Sequence, residues 1–168
     1  MDEQPEPQAS QQRRPDPTDA VVVGVDGSES ARRALKWALR IATAAGAPIH
    51  LVACWQRPLL FDAGGLGVAY PADDDLSTAA ATWLSETMES CQREIAEART
   101  AGCVVEAYST VGAPDLVLEE LSEKAALIVI GRRGHNILER FLGTTSRHVI
   151  EHAKCAVTVI PEPRQKKS

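Results

Sequence analysis

Five short aliphatic runs alternate with segments of helical periodicity along this chain, and that alternation admits few folds. Residues 20–25, Ala-Val-Val-Val-Gly-Val, form a continuous apolar run, the pattern of a strand buried on both faces. Comparable runs follow at 48–55, 104–110, 126–130 and 156–160. Between the first two, Ala31, Ala34, Leu35, Ala38, Ala42 and Ala45 recur at helical spacing. Ser28 stands where an N-cap belongs, Glu29 falls in the first turn, and Gly46 supplies a stop. A second helix is predicted over 76–101, with Ala80, Leu84, Met88, Cys91, Ile95 and Ala98 on one stripe. A third starts at Pro114, whose ring suits a first turn, and reaches about residue 124. A fourth covers 144–153. The order β-α-β-α-β-α-β-α-β predicts an α/β fold, Rossmann-like, with a five-stranded parallel sheet and helices on both faces.

A length of 168 residues suits one domain with a real core. Residues 1–19, rich in Pro, Gln and acids, read as a disordered N-terminal tail. Residues 20–161 form the domain, and 162–168 a C-terminal tail. The stretch 56–75, with Pro58, Gly64, Gly65, Gly67 and Pro71, reads as a long loop. The net charge of −5 argues against broad nucleic-acid binding, which needs a basic face. Cys54, Cys91, Cys103 and Cys155 show no CxxC spacing, and neither a signal peptide nor a membrane-length apolar run is visible. The expectation is a reduced, cytoplasmic protein with no membrane partner.

Right-handed crossovers place the second and third strands on one side of the first, and if strand four starts the other side the order is 3-2-1-4-5. Ligands of such sheets bind beyond the carboxyl ends of the strands where the order reverses, here between strands one and four. The loop after strand one holds Asp26. The loop after strand four is Gly131-Arg132-Arg133-Gly134, followed by Gly143-Thr144-Thr145-Ser146 at a helix start. Glycines let backbone N–H groups approach an anion, and a helix N-terminus adds free donors and a favourable dipole. Arg132, Arg133 and Arg140 are candidates to neutralise phosphate. Asp26 suits an adenine amino group or a ribose hydroxyl better than a phosphate. Its structural alternative is to hold the Gly27-Ser28 turn, and that of Thr144 is a plain N-cap.

Several chemistries lack their motif. There is no G-x4-G-K-[ST], no GxGxxG after the first strand and no GxSxG elbow. His148 and His152 stand four apart with Cys155 nearby, but no fourth zinc ligand can be placed, so no metal site is expected. No catalytic residue is identifiable, and an enzyme such as a slow ATPase ranks below a binding protein.

Together, Val22-Val23-Gly24-Val25-Asp26-Gly27-Ser28, Val111-Gly112-Ala113-Pro114, Ile128-Val129-Ile130-Gly131-Arg132-Arg133-Gly134, Leu142-Gly143-Thr144 and the closing 156–160 run resemble the universal stress protein family over 20–161. In one branch, marked by G-x2-G-x9-G-[ST], the resemblance implies ATP binding, with or without Mg2+, by a stress-response regulator. By that motif Gly131, Gly134, Gly143 and Thr144 hold phosphates and ribose, joined by Ile130, Arg132, Arg133, His135, Thr145 and Ser146. Asp26 faces adenine beside Gly24 and Val25, and the end of the second strand, Ala53 or Cys54, approaches the base. The chain departs from the pattern in two places. The Gly134–Gly143 spacing is one residue short, and Arg132 stands where Ser or Thr is usual. The short loop motivates an alternative reading, a homodimeric interaction module of the same fold without nucleotide. The resemblance also implies a homodimer through the last strand, where Val157 and Val159 would lie on an exposed edge.

Overall fold

The aliphatic runs become strands β1 (Val21–Val25), β2 (Ile49–Trp55), β3 (Val105–Val111), β4 (Leu127–Gly131) and β5 (Ala156–Ile160). They form one sheet of order β3-β2-β1-β4-β5 in a computed structural model that describes residues 15–56, 73–132 and 142–161. Every pairing is parallel, with Val21 opposite both Ile49 and Leu127. The expected strand order therefore holds, and the carboxyl ends of β1 and β4 meet at the reversal.

Side chains alternate across the sheet, and the core divides accordingly. Val21, Val23 and Val25 pack on one face with Leu35, Ala38, Leu51 and Leu84. Val22 packs on the other with Val52, Leu118, Ile128 and Val149. The first face is covered by α1 (Glu29–Ala45), α2 (Asp73–Ser90) and α3 (Gln92–Thr100). The second is covered by α4 (Pro114–Ser122) and α5 (Thr144–His152). Leu35, Ile49 and Leu51 are fully buried, and each such burial contributes about 1.5–3 kcal/mol.

The caps follow the sequence. Ser28 accepts a hydrogen bond from the Ala31 N–H at 3.1 Å, and Gly46 takes the left-handed conformation, φ 67°, that ends α1. One expectation changes. The single helix over 76–101 is two helices, α2 and α3, separated at Cys91 (φ −114°, ψ 16°). The break is one residue deep, since the Ile95 N–H still donates to the Cys91 carbonyl at 2.9 Å. It lets α2 lie along β2 and β3 while α3 turns to pack on α1. Residues 15–19, read as tail, lie against the end of α4: the Asp19 N–H donates to the Lys124 carbonyl at 3.1 Å.

Candidate functional site

A cavity of about 240 Å3 opens at the carboxyl ends of β1, β2 and β4. Three helices, α1, α4 and α5, begin at its edge, contributing Ser28, Pro114 and Thr144 to its walls. Each N-terminus carries the positive end of a helix dipole, so the cavity favours an anion.

From β1 come Gly24, Val25 and Asp26. A side chain at Gly24 would begin 3.2 Å from Ile130 Cγ2 and 3.3 Å from Leu118 Cδ1, so its absence keeps the strand end clear while those side chains close in. Asp26 Oδ1 accepts from the Ser28 N–H at 3.1 Å. The turn-holding role is therefore real, and Asp26 lines the cavity at the same time. It is the one carboxylate among the described wall residues.

From β4 come Ile130 and Gly131. A side chain at Gly131 would begin 2.6 Å from Ser30 Cβ and 3.0 Å from the Ser30 carbonyl carbon. Glycine thus lets the first turn of α1 seat directly on the end of β4. Arg132 has its backbone tied on both sides: its N–H donates to the Ile160 carbonyl at 2.9 Å, and its carbonyl accepts from the Gly143 N–H at 3.1 Å. The second bond closes the neck of the loop between β4 and α5. The Arg132 side chain is not among the cavity walls. Arg133, Gly134, His135 and Arg140 lie outside the described residues.

From α5 come Gly143, Thr144, Thr145 and Ser146. Gly143 is the N-cap, and no side chain among the described residues caps the helix. Thr144 is thus inside the first turn rather than the cap. The first intrahelical bond, from the Arg147 N–H to the Gly143 carbonyl at 2.9 Å, leaves the Thr144, Thr145 and Ser146 N–H groups ahead of it. The Ser146 hydroxyl donates back to the Gly131 carbonyl at 2.9 Å. Uncapped N–H groups beside threonine hydroxyls suit a phosphate oxygen.

From β2, Val52 and Cys54 line the cavity, whereas Ala53 is fully buried on the opposite face with the core of α1 and α2. The choice between Ala53 and Cys54 therefore falls to Cys54, as strand alternation requires. Six further wall residues went unforeseen: Ser28 and Ala31 at the start of α1, Val52 from β2, Pro114 and Leu118 from α4, and Trp83 from α2. Pro114 and Leu118 could have been found from the crossover rule, which starts α4 at this same end of the sheet. Trp83 carried only the signal of a large aromatic beside the buried stripe of its helix.

His148 and His152 lie away from this cavity. His148 Nε2 pairs with Glu119 Oε2 at 2.6 Å, the His152 ring stacks on it at 4.2 Å, and the pairing holds the Glu119 carboxyl below its usual value. No metal-binding cluster occurs among the described residues. No described helix is long and apolar enough to cross a membrane.

Residues 17–161 match the universal stress protein family. A universal stress protein of Methanocaldococcus jannaschii is 28% identical over 148 residues, covering 86% of this chain and 83% of that protein. Among solved structures, a universal stress protein in complex with cAMP is 29% identical at a TM-score of 0.59, covering 86% of this chain and 97% of that one. The universal stress protein of Archaeoglobus fulgidus in complex with dAMP is 26% identical at a TM-score of 0.54, covering 86% and 98%.

Proposed function

The chain belongs to the universal stress protein family, and we propose that it is a stress-response regulator that binds an adenine nucleotide in the cavity between β1 and β4. The observation that carries this reading is the uncapped N-terminus of α5 facing the same cavity as Asp26. The two supply opposite needs. The Thr144–Ser146 N–H groups suit a phosphate, and the Asp26 carboxylate accepts from an amino group or a sugar hydroxyl. Val52, Leu118 and Ile130 supply an apolar surface for a base. Two solved relatives hold cAMP and dAMP, which supports the adenine class. ATP, with or without Mg2+, is the ligand that the family motif favours. By that motif its phosphates and ribose would fall to Gly131, Gly134, Gly143 and Thr144, joined by Arg132, Arg133, His135 and Thr145.

Calorimetric titration with AMP and ATP tests the reading. Saturable binding, weakened by Asp26→Ala, is the expected result. No heat and no thermal shift at millimolar nucleotide would overturn it and favour an interaction module without nucleotide. Mass spectrometry of nucleotide released from freshly purified protein identifies the natural ligand.

We further propose a cytoplasmic homodimer paired through β5. That strand is an edge of the sheet, and its Val157 and Val159 remain partly exposed. Light scattering should give twice the chain mass, and a charged residue at Val159 should return a monomer.

A further inference from the structure

The buried stripe of α2 runs through Ala80, Leu84 and Thr87. Trp83 stands beside that stripe, about 100° around the helix from Leu84, and is only half-buried. Its indole reaches beyond the sheet to the turn after β1. A side chain at Gly27 would begin 2.6 Å from Trp83 Cδ1 and 3.2 Å from its Nε1. Gly27 also holds φ at 77°. The pyrrole edge of the indole therefore rests on the turn that presents Asp26 and Ser28, and the same ring forms part of the cavity wall. Trp83 is the one aromatic among the described wall residues.

We infer that Trp83 is a ligand-contacting residue that holds the nucleoside part of the bound nucleotide, an inference that rests on the adenine-nucleotide reading above. The strand order fixes which part. The cavity runs from β2 across β1 to β4, and α5, whose leading N–H groups have no partner among the described residues, stands at the β4 end. A phosphate at α5 leaves the base and sugar over the ends of β1 and β2, on the Val52 and Cys54 side, and Trp83 of α2 reaches that end from the opposite face, past the turn after β1. Trp83 thus lies beside Asp26 at the nucleoside end. A half-buried indole offers a flat apolar face and an N–H donor there, both suited to a purine or ribose. The family's glycine motif does not include α2, so the motif by itself does not point to this contact.

The test titrates wild type, Trp83→Leu, Trp83→Phe and Gly143→Asp with AMP and with adenosine. Truncating a stacking aromatic should weaken binding about 5- to 20-fold. Trp83→Leu should lose that factor equally for AMP and adenosine, and Trp83→Phe should keep most of the affinity. Gly143→Asp should lose AMP and retain adenosine, because it acts at the phosphate end. Fluorescence guards against a variant that fails to fold. AMP should change the emission of wild type and leave that of Trp83→Phe unchanged, with Trp37 and Trp55 still present. Trp83→Leu binding AMP within about twofold of wild type, or an emission change that survives in Trp83→Phe, overturns the inference alone. Wild type that binds neither AMP nor adenosine overturns the nucleotide reading, and this inference with it.

Discussion

The Ser146 hydroxyl donates to the Gly131 carbonyl across 2.9 Å, joining the first turn of α5 to the end of β4. A second, longer approach of 3.5 Å reaches the Arg132 carbonyl. The bond spans a 15-residue separation in sequence, yet it sits where the proposed phosphate would bind. Ser146 is 4% exposed, so no water replaces it readily. Ser146→Ala should cost about 0.5–1.5 kcal/mol, the usual worth of one such bond. It should also weaken AMP about threefold to tenfold, because α5 is no longer registered against β4. Urea denaturation and calorimetry on the same preparation read both effects. Affinity unchanged beside lost stability would confine Ser146 to the fold.

Gly131 makes a sharper case. Alanine there would place its methyl 2.6 Å from Ser30 Cβ and 3.0 Å from the Ser30 carbonyl carbon, inside contact distance of backbone. Helix α1 would have to move off β4. Overpacking of this kind costs about 1–3 kcal/mol. Ser30→Gly removes one of the two obstacles, so the double variant should recover part of the loss. A double-mutant cycle by thermal melting measures the coupling, and strict additivity would contradict the contact.

Gly143 separates folding from binding. Its φ of −59° and ψ of 152° are angles that any residue adopts, and it caps α5 without a side-chain bond. Asp is a preferred N-cap because its carboxylate accepts from the next free N–H groups. Gly143→Asp should leave stability within about 0.5 kcal/mol of wild type or raise it slightly. The same carboxylate occupies the donors that a phosphate needs and repels its charge. AMP affinity should therefore fall more than about tenfold. Parallel losses of stability and binding would show a packing defect instead.

How far these features were legible in the sequence depends on their range. The strands stand out because aliphatic runs such as Val21–Val25 are short and bounded by turn residues, and the strand order follows from right-handed crossovers once strand four starts the other side of strand one. Asp26, Gly131 and Gly143 follow from the order, since topology alone brings their loops together. Cys91 hid the break between α2 and α3, because its thiol continues the apolar stripe as a helix would. The family resemblance brought the end of β2 to the base but left Ala53 or Cys54 open, since it did not say which face of the strand met the cavity. Trp83 was illegible for a different reason. Its contact with Gly27 joins two elements 56 positions apart, and neither local propensity nor spacing carries that distance.

His50 supplies a pH dependence remote from the cavity. It lies on β2 at 5% exposure, and its Nδ1 is buried without a hydrogen-bond partner among the described residues. Burial pushes the imidazole below its ordinary value, against the weaker opposing pull of Glu106, 3.3 Å from Nε2, and of Asp16. Tyr108 closes the other side edge-on at 5.2 Å. The folded protein therefore takes up this proton less readily than the unfolded chain. The sign follows: as pH falls below about 6.5, the unfolded chain protonates first and stability drops. The drop continues until the folded imidazole also titrates, and above about pH 6.5 the contribution is constant. His50→Phe keeps the ring, removes the titration and removes the unpartnered nitrogen. Its melting temperature should fall less steeply than that of wild type between about pH 6.5 and 5. Melting curves recorded across that range decide the point. Parallel slopes for the two proteins would mean that His50 is not the group that senses the acid.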